Sequence, residues 1–280
     1  MKTLDNKLII YDSNCKVCSS LRDVVLALTS IPEAKVKAYK DLDAEYNSKV
    51  DPDKFKNVMA LIDTTNGATI YGAEGVAYIF SSQYKVLDIL LGFPPFFKLF
   101  SVLYKIQAYN RYIMATPKSN FKCDCYPDKI VSYRLAYIGI VFSIAILLTA
   151  LFGISLKNLV VGISATKAAM QMFVISVSGW SLQIIAAVLF MKKNAQEYVG
   201  HLGSIMVVSL LLLLPSILFY FSTGIFIPYI PAISVLLSCT CMLYLHIERI
   251  KYLGVSQWWT VSRFAFLLLS GCFWLYYFNY

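Results

Sequence analysis

The sequence predicts a small α/β domain followed by an all-α membrane domain of about five transmembrane helices. Most of the charge lies in residues 1–134, whereas nearly all of the long apolar runs lie in residues 135–280. The chain is 58% hydrophobic and has a mean hydropathy of +0.63, which is too apolar for an ordinary soluble protein. Strand-like and helix-like patterns alternate near the N-terminus, which favours the α/β class for the polar part.

The polar part follows the order β-α-β-β-β-α. Residues Leu8 to Tyr11 form a short apolar run that indicates a buried strand. From Cys15 onward, apolar residues recur at helical spacing until Ile31 and Pro32 end the pattern. Asn66-Gly67 is a strong hairpin signal between two apolar runs. The other predicted elements are strands at 35–39, 58–62 and 68–71 and a helix that begins at Gly72.

The apolar part contains five segments long enough to cross a bilayer, since a spanning helix needs about 20 residues. Residues 155–170 are a weaker segment, which could form a partly buried interfacial helix. Pro215, Pro228 and Pro231 lie in or near the spans, where proline kinks a helix. The predicted spans are 135–154, 171–191, 202–221, 225–246 and 261–280.

The distribution of Lys and Arg predicts the orientation of these spans. Basic residues collect on the side of the N-terminal domain, whereas Lys157 and Lys167 alone lie on the opposite side. Because cytoplasmic loops are enriched in Lys and Arg, we expect the N-terminal domain in the cytoplasm, at a bacterial inner membrane. Residues 1–12 lack the apolar stretch of a signal peptide, which agrees. The basic residues counted are Lys118, Lys122, Lys129, Arg134, Lys192, Lys193, Arg249, Lys251 and Arg263.

Two classes of function fit the composition poorly. The net charge of +9 is explained by the basic flanks of the spans, so we expect no nucleic-acid partner. Ion pumps need ionisable groups at membrane depth, and no acidic residue lies in the middle of a predicted span. The remaining ionisable candidates are placed in loops or at span ends: Glu197, His201, His246 and Glu248.

The strongest chemical signal is the pair Cys15 and Cys18, which the pattern places at the start of the first helix. The thiolate is the reactive form of cysteine, and a helix N-terminus favours negative charge. Cys15 is therefore the candidate attacking thiol, and Cys18 is near enough to resolve a mixed disulfide. Asp12 precedes the turn, where it either accepts the proton of the resolving thiol or caps the helix.

A zinc site is the main alternative for this pair. It would need a second pair of ligands, and Cys123-Asp-Cys125 has the wrong spacing for a zinc knuckle. We therefore expect no resident metal and no cofactor. Cys123 and Cys125 are bystanders, a redox relay or acylation sites in this juxtamembrane segment. Cys239, Cys241 and Cys272 lie in predicted spans, either as small buried hydrophobic residues or as part of a transmembrane thiol relay.

Asp12, Cys15 and Cys18 after an N-terminal strand resemble the DCC-type thiol-disulfide oxidoreductases. The stretch from Ile70 to Ala77 and the run Asn110-Arg-Tyr112 are also similar to that family, so the resemblance covers residues 7–114. It implies a thioredoxin-like fold and a redox role carried by the two cysteines with Asp12. The chain departs from the family turn at Ser13 and Lys16, and Asn57 stands where thioredoxins have a cis-proline.

Two further segments of the polar part leave alternatives open. Asn110 and Arg111 either anchor the last helix to the domain or form an anion site. The apolar stretch 87–103 is either residual core or a surface that docks on the bilayer or the spans. These segments complete a predicted domain at 1–115, which is followed by a linker at 116–134 and the membrane domain at 135–280.

The sequence thus predicts a membrane-tethered thiol-disulfide oxidoreductase with Cys15 and Cys18 on the cytoplasmic face. The expected partners are the lipid bilayer and a protein that carries a dithiol or disulfide, within a possible membrane-protein complex. The alternative is a non-catalytic subunit of a membrane assembly, in which the thioredoxin-like domain serves for docking.

Overall fold

The computed structural model describes residues 3–118, 125–159 and 163–279. The chain divides into two compact units, Met1–Tyr137 and Ile138–Tyr280. The first unit contains a four-stranded sheet, and the second is all-helical. The predicted fold class is thereby confirmed. Cys123 and Lys122 lie outside the described residues.

The sheet of the first unit has the strand order β2-β1-β3-β4. Its strands are β1 (Lys7–Tyr11), β2 (Val36–Ala38), β3 (Ala60–Asp63) and β4 (Thr69–Tyr71). β1 pairs in parallel with β2, and the crossover between them contains helix α1 (Lys16–Leu28). β3 is antiparallel to both β1 and β4. Because α1 begins just beyond the end of β1, the two cysteines lie at the edge where the parallel strands end.

Both faces of the sheet are covered, which explains the continuous apolar run in β1. Ile9 packs on one face with Val25 of α1. Leu8 and Ile10 pack on the other face with Phe55. Successive side chains of a strand point to opposite faces, so a strand with two buried faces needs apolar residues at every position.

The remaining helices of the first unit are α2 (Ala44–Asn47), α3 (Pro52–Phe55), α4 (Gly72–Gln83), α5 (Lys85–Gly92) and α6 (Pro94–Met114). The predicted hairpin joins β3 to β4, and Gly67 has a φ of 73° at the turn, a conformation that favours glycine. The apolar stretch 87–103 forms α5 and the start of α6. Ile89, Phe93 and Leu99 are exposed there, so these side chains do not form core, and docking remains a prediction.

The second unit contains most of the long apolar helices. The helices of this part of the chain are α7 (Val131–Ser155), α8 (Ala165–Met191), α9 (Ala195–Leu211), α10 (Leu214–Thr223), α11 (Tyr229–Leu253) and α12 (Trp258–Asn279). Among the described residues, four helices are long and apolar enough to cross a membrane. The number rises to six if two bent pairs, α5 with α6 and α9 with α10, each count as one span.

The helix bounds differ from the expected spans in two informative places. α8 begins at Ala165, within the segment considered interfacial, because the Ser164 hydroxyl accepts a hydrogen bond from the Lys167 backbone N–H at 3.1 Å and caps the helix. The expected span 202–221 is two helices that meet at an angle of 43°. Pro215 lies in the first turn of α10 and cannot donate a backbone hydrogen bond, so a single helix is interrupted there.

The polar residues of the second unit are placed differently from the expectation. The sequence analysis assigned His201 and His246 to loops or span ends, but both are buried within helices. Arg249 and Arg263 were counted as loop charges, and both are also buried. Two of the charges used to predict the orientation are therefore inside the helical unit.

The close approach of α9 to α7 yields a test of the helical packing. A Cβ atom on Gly203 would lie 2.4 Å from Cγ2 of Val141, whose branched side chain is stiff. We expect Gly203→Ala to destabilise the protein by about 1–3 kcal/mol, the usual effect of overpacking. Gly139→Ala is the matched control, because nothing lies within 4 Å of its Cβ position. Thermal unfolding of the full chain in detergent measures both, and equal midpoints would contradict this packing.

Candidate active site

Cys15 occupies the N-cap position of α1. Asp12 closes the preceding turn, since one carboxylate oxygen accepts a hydrogen bond from the Asn14 backbone N–H at 2.9 Å. The Cys15 Sγ accepts a hydrogen bond from the Cys18 backbone N–H at 3.1 Å. A thiolate here takes the place of the usual capping oxygen and lies at the positive end of the helix dipole. Cys15, and not Asp12, is therefore the residue that caps α1.

The two thiols and the Asp12 carboxylate form a compact group. Their ligand atoms all lie within 4.8 Å of one another. A hydrogen bond from the Cys18 side chain, and to a lesser extent the Cys18 backbone N–H and the Arg111 charge, lowers the pKa of the Cys15 thiol despite its burial. The pKa of Cys18 is raised well above its ordinary value, first by that same hydrogen bond and then by burial. This difference between the two pKa values favours attack by Cys15 and resolution by Cys18.

Two neighbours on α6 hold Asp12 in place. The Tyr112 hydroxyl donates a hydrogen bond to Oδ2 of Asp12 at 2.8 Å, and Nη2 of Arg111 lies 3.6 Å from the same oxygen. All three side chains are buried. The Asp12 charge opposes the Arg111 charge at the thiols, because it raises the pKa of both cysteines. Burial and the nearby Asp12 charge also raise the pKa of Tyr112, so its hydroxyl remains a donor.

Arg111 connects three parts of the domain that are distant in sequence. Its Nη1 donates to the Asn57 carbonyl at 2.9 Å, and its Nη2 donates to the carbonyls of Lys56 and Cys125, each at 2.7 Å. The neighbouring Asn110 points elsewhere and donates to the Tyr133 carbonyl at 3.0 Å. The sequence predicts Arg111 only as an anchor or an anion site, and it predicts no contact between Tyr112 and Asp12. The only sequence signal for these contacts is that Arg111 and Tyr112 are neighbours in the run that resembles the family.

Comparison with known families identifies this arrangement. Residues 9–116 match the DCC1-like thiol-disulfide oxidoreductase family. The resemblance inferred from Asp12, Cys15 and Cys18 is thus confirmed for this part of the chain. No curated protein and no solved structure matches the chain.

Access to the thiols of the DCC1-like domain is restricted by residues 115–118, which we call the strap. Lys118 donates from its backbone to the Asn14 carbonyl at 2.9 Å and from Nζ to the Ser19 hydroxyl at 2.7 Å. Nζ of Lys16 donates to the Thr116 hydroxyl at 3.3 Å. These bonds flank Cys15, whose exposed fraction is 0%. Because the Cys15 sulfur is buried, its exchange with a partner requires a local opening of the domain.

Cys18 is half-buried and borders a small cavity of the DCC1-like domain. Asn57, Tyr104 and Arg111 also line this cavity, whose volume is about 30 Å³. A volume of this size holds a water molecule and not a metabolite.

The group formed by Asp12, Cys15 and Cys18 also has the ligand types of a metal site. An oxygen and two sulfur ligands at this spacing suit a soft divalent cation. The Arg111 guanidinium acts against it, because its positive charge lies 3.6 Å from the Asp12 carboxylate and is held there by three carbonyls. The electrostatics of the group favour a thiolate over a bound cation.

The other described cysteines lie away from this group. Cys125 is buried in the apolar cluster with Leu8, Ile10 and Phe55, so its thiol has no access to solvent and a relay through it remains only a prediction. Cys239 and Cys272 are exposed, and Cys241 is half-buried. Cys239 and Cys272 thus lie on the outer surface of their helices, and both alternatives for the three residues remain predictions.

The charge balance at the thiols can be tested through the pH dependence of Cys15 alkylation. Arg111→Gln removes a positive charge that lowers the pKa of Cys15, so we expect the alkylation profile to move to higher pH. Cys18→Ala removes the larger stabilising contribution, the hydrogen bond to Cys15, and should move the profile further in the same direction. Mass spectrometry of the full chain after timed alkylation gives both profiles.

Three variants control this measurement. Arg111→Lys keeps the charge but loses the planar fork that binds three carbonyls. A comparison of its alkylation profile with that of Arg111→Gln therefore separates the effect of the charge from the effect of the lost carbonyl contacts. Asp12→Asn removes a charge that raises the Cys15 pKa and should move the profile to lower pH. Arg22→Gln removes another positive charge beside the cavity and should leave the profile in place. A profile that Arg111→Gln does not move, or moves to lower pH, would contradict this account.

Proposed function

We propose that the protein is a membrane-anchored thiol-disulfide oxidoreductase whose DCC1-like domain exchanges disulfides with a protein partner. The observation that carries this proposal is the geometry of the pair: the Cys15 sulfur caps α1 and accepts a hydrogen bond from the Cys18 backbone N–H at 3.1 Å, with the Cys18 sulfur and an Asp12 oxygen within 4.8 Å. In this setting the pKa of Cys15 is lowered and that of Cys18 is raised. This asymmetry gives one thiol the role of nucleophile and keeps the other protonated until it is needed.

The proposed exchange has two steps. The Cys15 thiolate attacks one sulfur of the partner disulfide, which forms a mixed disulfide and releases the other partner sulfur as a thiolate. Cys18 then loses its proton, for which Asp12 is the nearest carboxylate, and attacks the Cys15 sulfur. The partner leaves as a dithiol, and Cys15 and Cys18 are left as a disulfide. The reverse sequence oxidises a partner dithiol, so the redox poise of the compartment sets the direction.

The apolar helices support the membrane part of this proposal, since four of the described helices are long enough to span a bilayer. We place the DCC1-like domain in the cytoplasm at a bacterial inner membrane. After Arg134, Arg249 and Arg263 are removed from the count because they are buried, exposed basic residues such as Lys118, Lys129, Lys192 and Lys251 still outnumber Lys157 and Lys167. This bias supports the orientation through the enrichment of cytoplasmic loops in Lys and Arg.

A redox titration tests the exchange reaction. The full chain in detergent is equilibrated in glutathione buffers of graded potential. Its free thiols are then alkylated, and mass spectrometry counts the alkyl groups added. We expect one reversible two-electron transition that links Cys15 to Cys18, because the two sulfurs lie within 4.8 Å. Cys15→Ala and Cys18→Ala should abolish it. An irreversible transition, or none, would exclude the enzymatic proposal.

A trapping experiment tests the roles of the two cysteines separately from the reaction itself. We expect Cys18→Ala to accumulate more mixed disulfide with a disulfide-bonded peptide than Cys15→Ala does, because Cys15→Ala leaves only the Cys18 thiol, whose pKa burial raises. The opposite ranking would exchange the roles and leave the reaction intact. If a Cys15→Ser, Cys18→Ser double variant retains full function in cells, the non-catalytic docking subunit is the correct description.

A further inference from the structure

The helical unit contains a buried chain of polar side chains that the proposed exchange reaction does not use. Gln183 Nε2 donates to the Tyr198 hydroxyl at 2.6 Å, and that hydroxyl lies 3.1 Å from Nε2 of His246. Nδ1 of His246 lies 3.0 Å from the Thr260 hydroxyl. The four residues come from α8, α9, α11 and α12, at the end of the unit where α8 and α11 end and α9 and α12 begin.

This chain of polar groups contains no carboxylate. The Tyr198 hydroxyl accepts from Gln183, and its own proton pairs with Nε2 of His246 when the imidazole is neutral. In that tautomer His246 carries its proton on Nδ1 and donates it to Thr260. All four side chains of the polar chain are then uncharged. They supply dipoles to their surroundings and no negative charge.

Arg263 lies one helical turn beyond Thr260 on the same side of α12 and has an exposed fraction of 1%. Its Nη2 donates to Sδ of Met242 at 3.2 Å, and Met242 lies one turn from His246 on α11. The Nε and Nη1 atoms are buried without a hydrogen-bond acceptor. In the ranges that the structure describes, no carboxylate lies within 4 Å of this guanidinium. Arginine stays protonated in proteins, so a full positive charge is buried among neutral neighbours.

We infer that Arg263 anchors an anion-binding site within the helical unit, and that its ligand is an oxyanion group, a phosphate or a carboxylate. A buried ion without a partner is strongly unfavourable, and an oxyanion supplies both the opposite charge and the acceptors that Nε and Nη1 need. A guanidinium has several N–H donors in one plane, and phosphate and carboxylate groups present several oxygen acceptors to them. A halide offers a single acceptor and fits less well.

The position of Arg263 along its helix limits the source of this anion. It lies five residues after Trp258, where α12 begins, which corresponds to a depth of about 8 Å along the helix axis. At that depth an anionic lipid headgroup can enter between helices, as basic sites near the membrane surface allow. A small anion from the aqueous phase offers the same chemistry, so the two sources need separate experimental arms.

The test compares the full chain in nanodiscs of neutral phosphatidylcholine, alone, with phosphatidylglycerol added, and with inorganic phosphate added to the buffer. We expect the thermal unfolding midpoint of the wild type to rise in at least one of the two anion arms, because a ligand that binds only the folded state stabilises it. A rise with phosphatidylglycerol alone identifies a lipid headgroup. A rise with phosphate alone identifies a free anion, and a rise in both identifies a site open to both sources.

Arg263→Met provides the decisive comparison. In neutral discs we expect it to unfold at or above the wild-type midpoint, because it removes an uncompensated buried charge. In discs that contain the anion that stabilises the wild type, the variant should unfold at a lower temperature than the wild type, because it no longer binds that anion. Lys251→Met removes an exposed charge at the same end of the unit and should keep the full rise. A rise that survives in Arg263→Met, or a wild type that responds in neither arm, would overturn the inference.

A second measurement covers the case in which Arg263→Met does not fold. Native mass spectrometry of the wild type released from the disc whose anion raises the unfolding midpoint should show one retained anion per chain. Arg263→Lys keeps the charge and loses the fork, so its retained fraction should be lower. Wild-type spectra without a retained anion from either disc would overturn the proposal independently of the variant.

Discussion

The Arg111 guanidinium is the interaction on which the DCC1-like domain depends most. It is buried, and it gathers the Asp12 carboxylate and the carbonyls of Lys56, Asn57 and Cys125 around one charge. A buried charge is tolerated only when its surroundings satisfy it, so these four segments are fixed relative to one another. The turn after β1, the loop before β3, helix α6 and the segment at residue 125 therefore meet at one point. The thiols lie beside that point and take their electrostatics from it.

The same charge explains why this domain separates its two thiols so clearly. Asp12 alone would disfavour a thiolate, and Arg111 compensates for it at close range. The hydrogen bond from Cys18 to Cys15 then stabilises one thiolate at the expense of the other. An Asp in this position is therefore compatible with a reactive cysteine because the domain also buries an arginine. The Tyr112 hydroxyl fixes the carboxylate so that this balance does not depend on a mobile side chain.

Local features of this fold were predictable from the sequence, and features that join distant segments were not. The strand at Leu8–Tyr11, the hairpin at Asn66-Gly67 and the helix that begins near Cys15 follow from periodicity and turn chemistry over a few residues. The contact of Asp12 with Arg111 joins residues at opposite ends of the domain, and no local pattern encodes it. The burial of His246 and Arg263 was also missed, because hydropathy averaged over a span hides a single polar residue. The bend between α9 and α10 could not be predicted from the presence of Pro215 alone, because it depends on where this proline lies within its helix.

In the proposed exchange, the strap at residues 115–118 would bear on which disulfides reach Cys15. The bonds of Lys118 with Asn14 and Ser19 tie this segment to the turn and the helix that carry the buried thiol. A partner protein that competes for those bonds would gain access that a small oxidant lacks. Recognition of a surface would then precede any sulfur chemistry.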